Sequence, residues 1–178
     1  MDTIEKTRSA LVLERLHEAY PAGIQSSHEA HGELTLVIEA RDLLDIVRFM
    51  RDDPQLRYTM LENLCGVDYL GRIPRFEVVY HLISMQYHHR ICLKVGLPEQ
   101  HPQVASLTPL WSSATYQERE AWDLLGIVFT GHPSLERILM PDDWAGHPLR
   151  KDVPLGGEEV AFTFNEERIY AQKTFAKE

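Results

Sequence analysis

The periodicities along the chain predict an α+β fold, a two-layer sandwich in which a mainly antiparallel sheet carries helices on one face, followed by an extended C-terminal arm. Three observations carry this reading. A strand-like alternation is followed directly by an amphipathic helical period, with Leu34, Leu36 and Ile38 ahead of Leu43, Ile46, Val47 and Met50. Two long alternating runs then stand back to back as a β-hairpin, Phe76 to Leu82 and Ile91 to Leu97, and a hairpin of that length calls for an antiparallel sheet. Beyond residue 140 the chain loses its periodicity but keeps its aromatic residues.

Taken in order, Thr3 to Tyr20 carries Val12, Leu16 and Tyr20 at four-residue intervals, with Thr3 placed as an N-cap and Pro21 just past the end. That is the pattern of an amphipathic helix. Leu34, Leu36 and Ile38 alternate with Thr35, Val37 and Glu39 and predict a strand. From Asp42, apolar residues recur at i, i+3, i+4 and i+7 ahead of Pro54, which predicts a second helix with a single buried stripe. Tyr58 to Tyr69 mixes apolar and polar positions around Cys65 and Gly66, and reads as a strand with a bulge or turn at that point. After the hairpin, Ser106 to Leu125 is helical in composition, in two pieces broken near Pro109 and Ser112-Ser113, with Gly126 placed as a left-handed C-cap. Ile127-Val128-Phe129 makes a short strand or turn.

A chain of 178 residues suits one compact domain. We place the α+β domain at residues 1–140 and the docking arm at 141–178. The arm contains Pro141, Pro148, Pro154 and Gly156-Gly157, yet also Trp144, Phe162, Phe164, Tyr170 and Phe175. Apolar content of that kind suits a segment that orders against a partner. Val160, Phe162 and Phe164 alternate with Ala161 and Thr163, so this stretch could add to a sheet edge, and Trp144 and Leu149 are placed as earlier anchors.

Apolar residues make up 44% and charged residues 25%, an ordinary globular balance. The net charge of −9 disfavours a clamp on nucleic-acid phosphates. No apolar run approaches the roughly 20 residues needed to span a bilayer, and none follows the charged N-terminus, so a soluble, unexported chain is expected. Cys65 and Cys92 have neither iron–sulfur nor zinc spacing and read as reduced core thiols.

Candidate chemistry concentrates after residue 117. Glu118, Arg119, Glu120 and Asp123 crowd one short helix, where Arg119 can reach Asp123 and Glu120 shares its face. Such carboxylates could serve acid–base work in a cleft, or form local charge pairs on a helix face. None of the nine histidines forms H-x-x-x-H on a helix or joins a Cys/His cluster. There is no G-x-S-x-G elbow, no G-x-G-x-x-G and no Walker loop, so neither nucleophilic catalysis nor nucleotide binding is expected of this chain. Two Gly-His-Pro steps, at residues 131–133 and 146–148, fix chain direction before the cationic Arg150-Lys151 and Asp152.

Glu118-Arg119-Glu120, Asp123, Gly126, Gly131-His132-Pro133, Arg137-Ile138-Leu139, Pro141 to Trp144, Gly146 and Pro148 to Asp152 closely resemble the signature of the thirty-kilodalton, C-type family of complex I subunits. One departure is Glu136, where the family pattern carries a basic residue or proline. The resemblance implies a cofactor-free core subunit of the peripheral arm of an NADH:quinone oxidoreductase (NDH-1), not catalytic alone. It further implies the D-type subunit, which helps form the quinone site, and other hydrophilic subunits as neighbours. FMN, iron–sulfur clusters and quinone would be held by those partners, and the chain would take a peripheral place on the cytoplasmic face of the cell membrane. The interface residues it suggests are Glu118, Arg119, Glu120, Asp123, His132, Arg137, Asp143, Trp144, Leu149, Arg150, Lys151, Asp152, Phe162 and Phe164. A related membrane-bound hydrogenase or ferredoxin-linked complex is one alternative. A free-standing acid–base or metal enzyme built from Glu118, Glu120, Asp123 and His132 is another.

Overall fold

A computed structural model of the chain describes residues 2–153 and 167–168, with side chains from residue 8 onward. Helix α1 (Asp2–Ala19) leads into a hairpin of β1 (Ile24–Ala30) and β2 (Glu33–Ile38), then α2 (Leu43–Asp52). A meander follows, β3 (Met60–Asp68), β4 (Phe76–Ser84) and β5 (His89–Leu97). Short strands β6 (Gln103–Ala105) and β7 (Val128–Thr130) flank α3 (Ala114–Leu125) and pair parallel to each other.

The main sheet has the order β1-β2-β5-β4-β3, antiparallel throughout except for the β2–β5 pair. The hairpin alternation produces two unlike faces. Phe76, Val78, Tyr80 and Leu82 on β4, with Ile91, Leu93, Val95 and Leu97 on β5, join the buried residues of all three helices in one core. Val12 and Leu16 come from α1, Leu43, Ile46, Val47 and Met50 from α2, and Ala114, Ala121 and Leu125 from α3. The predicted two-layer α+β arrangement is therefore what forms. The opposite face is covered by charged side chains instead, Lys94 on Glu77 at 3.4 Å and Arg90 between Glu33 at 3.1 Å and Glu62 at 3.0 Å. Val79 and Cys92, which alternate with the core-facing residues of β4 and β5, are nonetheless buried on this face.

Cys65 is exposed and not the core thiol expected, whereas Cys92 is buried, and four further details differ from the sequence expectation. Helix α1 starts at Asp2, so Thr3 lies within it and is not the cap. Strand β3 keeps its register through Gly66, opposite Val78, and its irregularity lies between Leu61 and Asn63. Gly66 serves packing: a Cβ there would lie 2.6 Å from Leu125 Cδ1 and 3.0 Å from Ile127 Cδ1, so the missing side chain is what lets α3 close on β3. The first of the two helical pieces is a single turn, in which the Leu110 and Trp111 N–H groups donate to the Leu107 carbonyl. Strand β1 was not predicted because its residues are exposed except at the ends and carry no apolar alternation. Its turn is legible in retrospect, since His31 (φ 52°) and Gly32 (φ 77°) are the paired left-handed residues of a tight hairpin.

Candidate functional site

The residues that carry the resemblance meet around the C-terminal end of α3. Gly126, at φ 75°, reverses the chain there as expected, and its N–H donates to the Trp122 carbonyl. After β7 the chain returns over the helix as a strap, residues 131–153, which occupies the remaining carbonyls of the last helical turn. His147 Nδ1 lies 3.0 Å from the Asp123 carbonyl, Leu149 N–H donates to that of Leu124 at 3.0 Å, and Arg150 Nε donates to that of Leu125 at 2.7 Å. A helix end otherwise leaves these acceptors to water, and the Arg150 cation also complements the negative end of the helix dipole.

Asp123 is the anchor of the strap. It has no exposed surface. Its Oδ2 accepts the backbone N–H groups of Ile138, Leu139 and Met140 at 2.8–3.0 Å, and Oδ1 accepts Arg137 Nη1 at 2.6 Å. Burial pushes this carboxyl up, but the three N–H donors and Arg137 outweigh it and hold the pKa at about 2. Arg137 continues to the carbonyls of Trp144 and Gly146 and lies over the Trp122 ring. Arg119 donates to the carbonyls of Glu136 and Arg137 at 3.0 and 2.8 Å, so at the position where this chain departs from the family pattern Arg119 contacts backbone and not side chain.

The far end of the strap is tied to the sheet. Arg75, 4% exposed, grips Asp68 through two hydrogen bonds at 2.9 and 3.0 Å and also reaches Glu99 and Asp152. Asp68 in turn accepts the Lys151 N–H at 2.9 Å. Hydrogen bonding to Asp68 raises the Arg75 pKa, and the same bond lowers that of Asp68. The Arg75 and Arg150 guanidinium groups both approach the Phe76 ring, 4.9 and 5.2 Å from its centre. Neither Asp68 nor Arg75 was singled out from sequence. Their only signal is position at the two ends of the β3–β4 connection, which becomes meaningful once the strands are paired.

The fourteen residues suggested as an interface divide accordingly. Glu118 and Asp123 are buried with partners in the same chain. Arg119, Arg137 and Arg150 bind backbone carbonyls. His132 accepts the Ser134 N–H at Nδ1, which leaves Nε2 to donate to the Thr115 carbonyl at 3.1 Å. Trp144 is half-buried, whereas Glu120, Asp143, Leu149, Lys151 and Asp152 are at least partly exposed. Leu149, at 59% exposure, forms with Glu120 the rim of a shallow apolar groove floored by Leu64, Gly66, Ala121 and Leu124. Phe162 and Phe164 lie outside the described residues, as does most of the arm beyond Val153. The acid–base constellation does not converge, because Glu118, Asp123 and His132 are each engaged by different local groups and Glu120 lies at the rim. Among the described residues no cluster of three or more His, Cys, Asp or Glu side chains is arranged to hold a metal ion.

The residues that carry the resemblance thus belong to one arrangement, an α+β domain whose charged side chains fasten a strap across its own helix. The chain belongs to the family described as the 30 Kd subunit of respiratory-chain NADH dehydrogenase, whose model matches residues 36–159. It is 65% identical over 170 residues to the C-type subunit of NADH-quinone oxidoreductase from Roseiflexus sp. (strain RS-1), covering 96% of this chain and 98% of that protein. The corresponding subunit of Herpetosiphon aurantiacus is 57% identical over 147 residues, covering 83% of this chain and 86% of that one. Among solved structures, the trypsin-resistant fragment (1-134) of Nqo5 matches with TM-score 0.61 and 34% identity, over 70% of this chain and 99% of that fragment. A chain of an archaeal membrane-bound sulfane sulfur reductase matches with TM-score 0.69 at 21% identity, over 82% of this chain and 85% of that one, a likeness of fold.

Proposed function

We propose that the chain works as the C-type subunit of an NADH-quinone oxidoreductase, a core structural component of the peripheral arm that supports electron transfer from NADH to quinone coupled to proton translocation. It has no redox group of its own in this reading. FMN, the iron–sulfur clusters and the quinone site belong to partner subunits, and the D-type subunit is the neighbour that the exposed rim meets. The observation that carries the proposal is the family match over residues 36–159, which contains the whole strap and its anchors. No helix among the described residues is long and apolar enough to cross a membrane, which suits peripheral attachment at the cytoplasmic face through the complex.

Of the docking arm expected at 141–178, residues 141–153 belong to the strap bound to the domain; in this proposal the remaining 154–178 dock on a partner, with Phe162 and Phe164 as apolar anchors, and the strap sets the direction in which the arm departs. The relative whose fragment 1-134 resists trypsin supports a compact domain with a separable remainder. Affinity purification of the tagged chain from its native membrane, followed by mass spectrometry, tests the assignment. Recovery of the D-type and other hydrophilic subunits, with NADH-dependent quinone reduction, is expected. A monodisperse chain without those partners would overturn it.

A further inference from the structure

Glu118 is placed differently from its acidic neighbours on α3. It has no exposed surface, and among the described residues no cation pairs with it. Its Oε1 accepts the Leu107 N–H at 2.7 Å, and its Oε2 lies 2.6 Å from Ser106 Oγ. Ser106 Oγ lies 2.8 Å from Thr108 Oγ1 and accepts the Thr108 N–H at 3.1 Å, and Thr108 is half-buried, in partial contact with solvent. The titratable group facing Glu118 from the sheet is Tyr80 on β4, whose hydroxyl is buried without a hydrogen-bond partner among the described residues. The β6–α3 connection presents the Ser106 and Thr108 hydroxyls and the Leu107 N–H, and residues 106–113 carry no charged or titratable side chain. On α3 itself, Arg119 and Asp123 are engaged with the strap and Glu120 lies at the rim.

We propose that Glu118 is a buried proton-binding site that passes between neutral acid and carboxylate in the folded chain, and that Ser106 and Thr108 form the wire by which its proton exchanges with solvent. The hydrogen bonds among Glu118, Ser106 and Thr108 can be kept in either protonation state. In the neutral state the carboxyl O–H donates to Ser106 Oγ, Ser106 donates to Thr108 Oγ1, and Thr108 donates to solvent. When a base in solution takes the Thr108 proton, the Ser106 proton moves to Thr108 and the carboxyl proton to Ser106. Each hydroxyl keeps one proton, Glu118 is left a carboxylate accepting from Ser106, and one proton has left the protein. Ser106 Oγ has one donor and two acceptor sites, and both arrangements use its donor. No heavy atom has to move. Burial without a cation favours the neutral form and pushes the carboxyl up to about 7, against the opposing pull of the Ser106 and Leu107 hydrogen bonds.

The test is a pH titration of the side-chain carboxyl carbon resonances of the 13C-labelled full chain, assigned to Glu118 by comparison with Glu118→Gln. We expect one carboxyl to titrate near neutral pH, well above an ordinary glutamate, and to vanish from the spectrum of the variant. Thr108→Val should leave its midpoint in place while slowing exchange between the two forms at least tenfold. A Glu118 resonance that titrates with the ordinary carboxylates would overturn the proton site, and unchanged exchange in Thr108→Val would overturn the wire. Ser106→Ala breaks the chain at its other member, and a neutral midpoint with unaltered exchange there would count against the wire equally.

Discussion

Replacing Asp123 by alanine removes the acceptor that fastens the strap, and its cost can be built from the groups left behind. The carboxylate has no exposed surface and accepts three backbone N–H groups and the Arg137 guanidinium, whose side chain is 14% exposed. Removing one partner of a buried charge pair costs about 3–5 kcal/mol. Ile138 and Leu139 are exposed residues, so water can reach their freed N–H groups on release of the strap, which favours the lower end of that range. An independent measure comes from the carboxyl itself: a pKa held at about 2 in place of 3.8 corresponds to about 2.5 kcal/mol in favour of the ionised form. Because the folded value is depressed, this stabilisation is present above pH 3.8 and is lost as pH falls through about 2. Urea unfolding of wild type and Asp123→Ala at about pH 5, 6, 7 and 8 should therefore give one constant difference of about 3 kcal/mol. Limited trypsinolysis of the variant should cut first at Arg137, Arg150 or Lys151 in the released strap. A loss below about 1 kcal/mol, or a difference that changes across that pH range, would refute the anchoring argument.

Glu118 carries the opposite sign. Its folded pKa, raised from 4.5 to about 7, makes the associated stability fully present below pH 4.5 and lost as pH rises through about 7, so wild type should lose about 3 kcal/mol relative to Glu118→Gln between about pH 4.5 and 8. Gly126→Ala forces a side chain into left-handed backbone and against Arg150 and His147, and should cost roughly 2 kcal/mol, read as a fall in Tm of about 4–8 °C. Leu149→Asp changes an exposed rim position, so unfolding should shift by no more than about 0.5 kcal/mol while the yield of co-purified partner subunits falls. Normal partner yield with that variant would remove the rim from the proposed interface.

The sheet and helices were legible where burial is one-sided. Leu43, Ile46, Val47 and Met50 were assigned to one stripe, and they are the buried residues of α2. The hairpin from Phe76 to Leu97 was readable because one face meets the helices and the other carries charged side chains. Strand β1 and the parallel β2–β5 pairing were not, since an exposed edge strand has no burial pattern and pairing partners far apart in sequence leave no local trace. At the site, the crowding of Glu118, Arg119, Glu120 and Asp123 was visible, but their separate destinations depend on the returning strap. Helical spacing places Arg119 within reach of Asp123, whereas in the fold Arg137 takes that role and Arg119 turns to the carbonyls of Glu136 and Arg137. The Asp68–Arg75 tie joins β3, β4 and the strap, and no spacing in the sequence announces it.

An NADH-quinone oxidoreductase that depends on this chain as a structural component should fail to assemble without it. The most direct test is to delete the gene in the native host, complement it with the wild-type sequence, and measure assembled complex and NADH-dependent quinone reduction in the membranes. Both should be lost together on deletion and return together on complementation. Fully assembled, active complex in membranes lacking the chain would contradict the structural role.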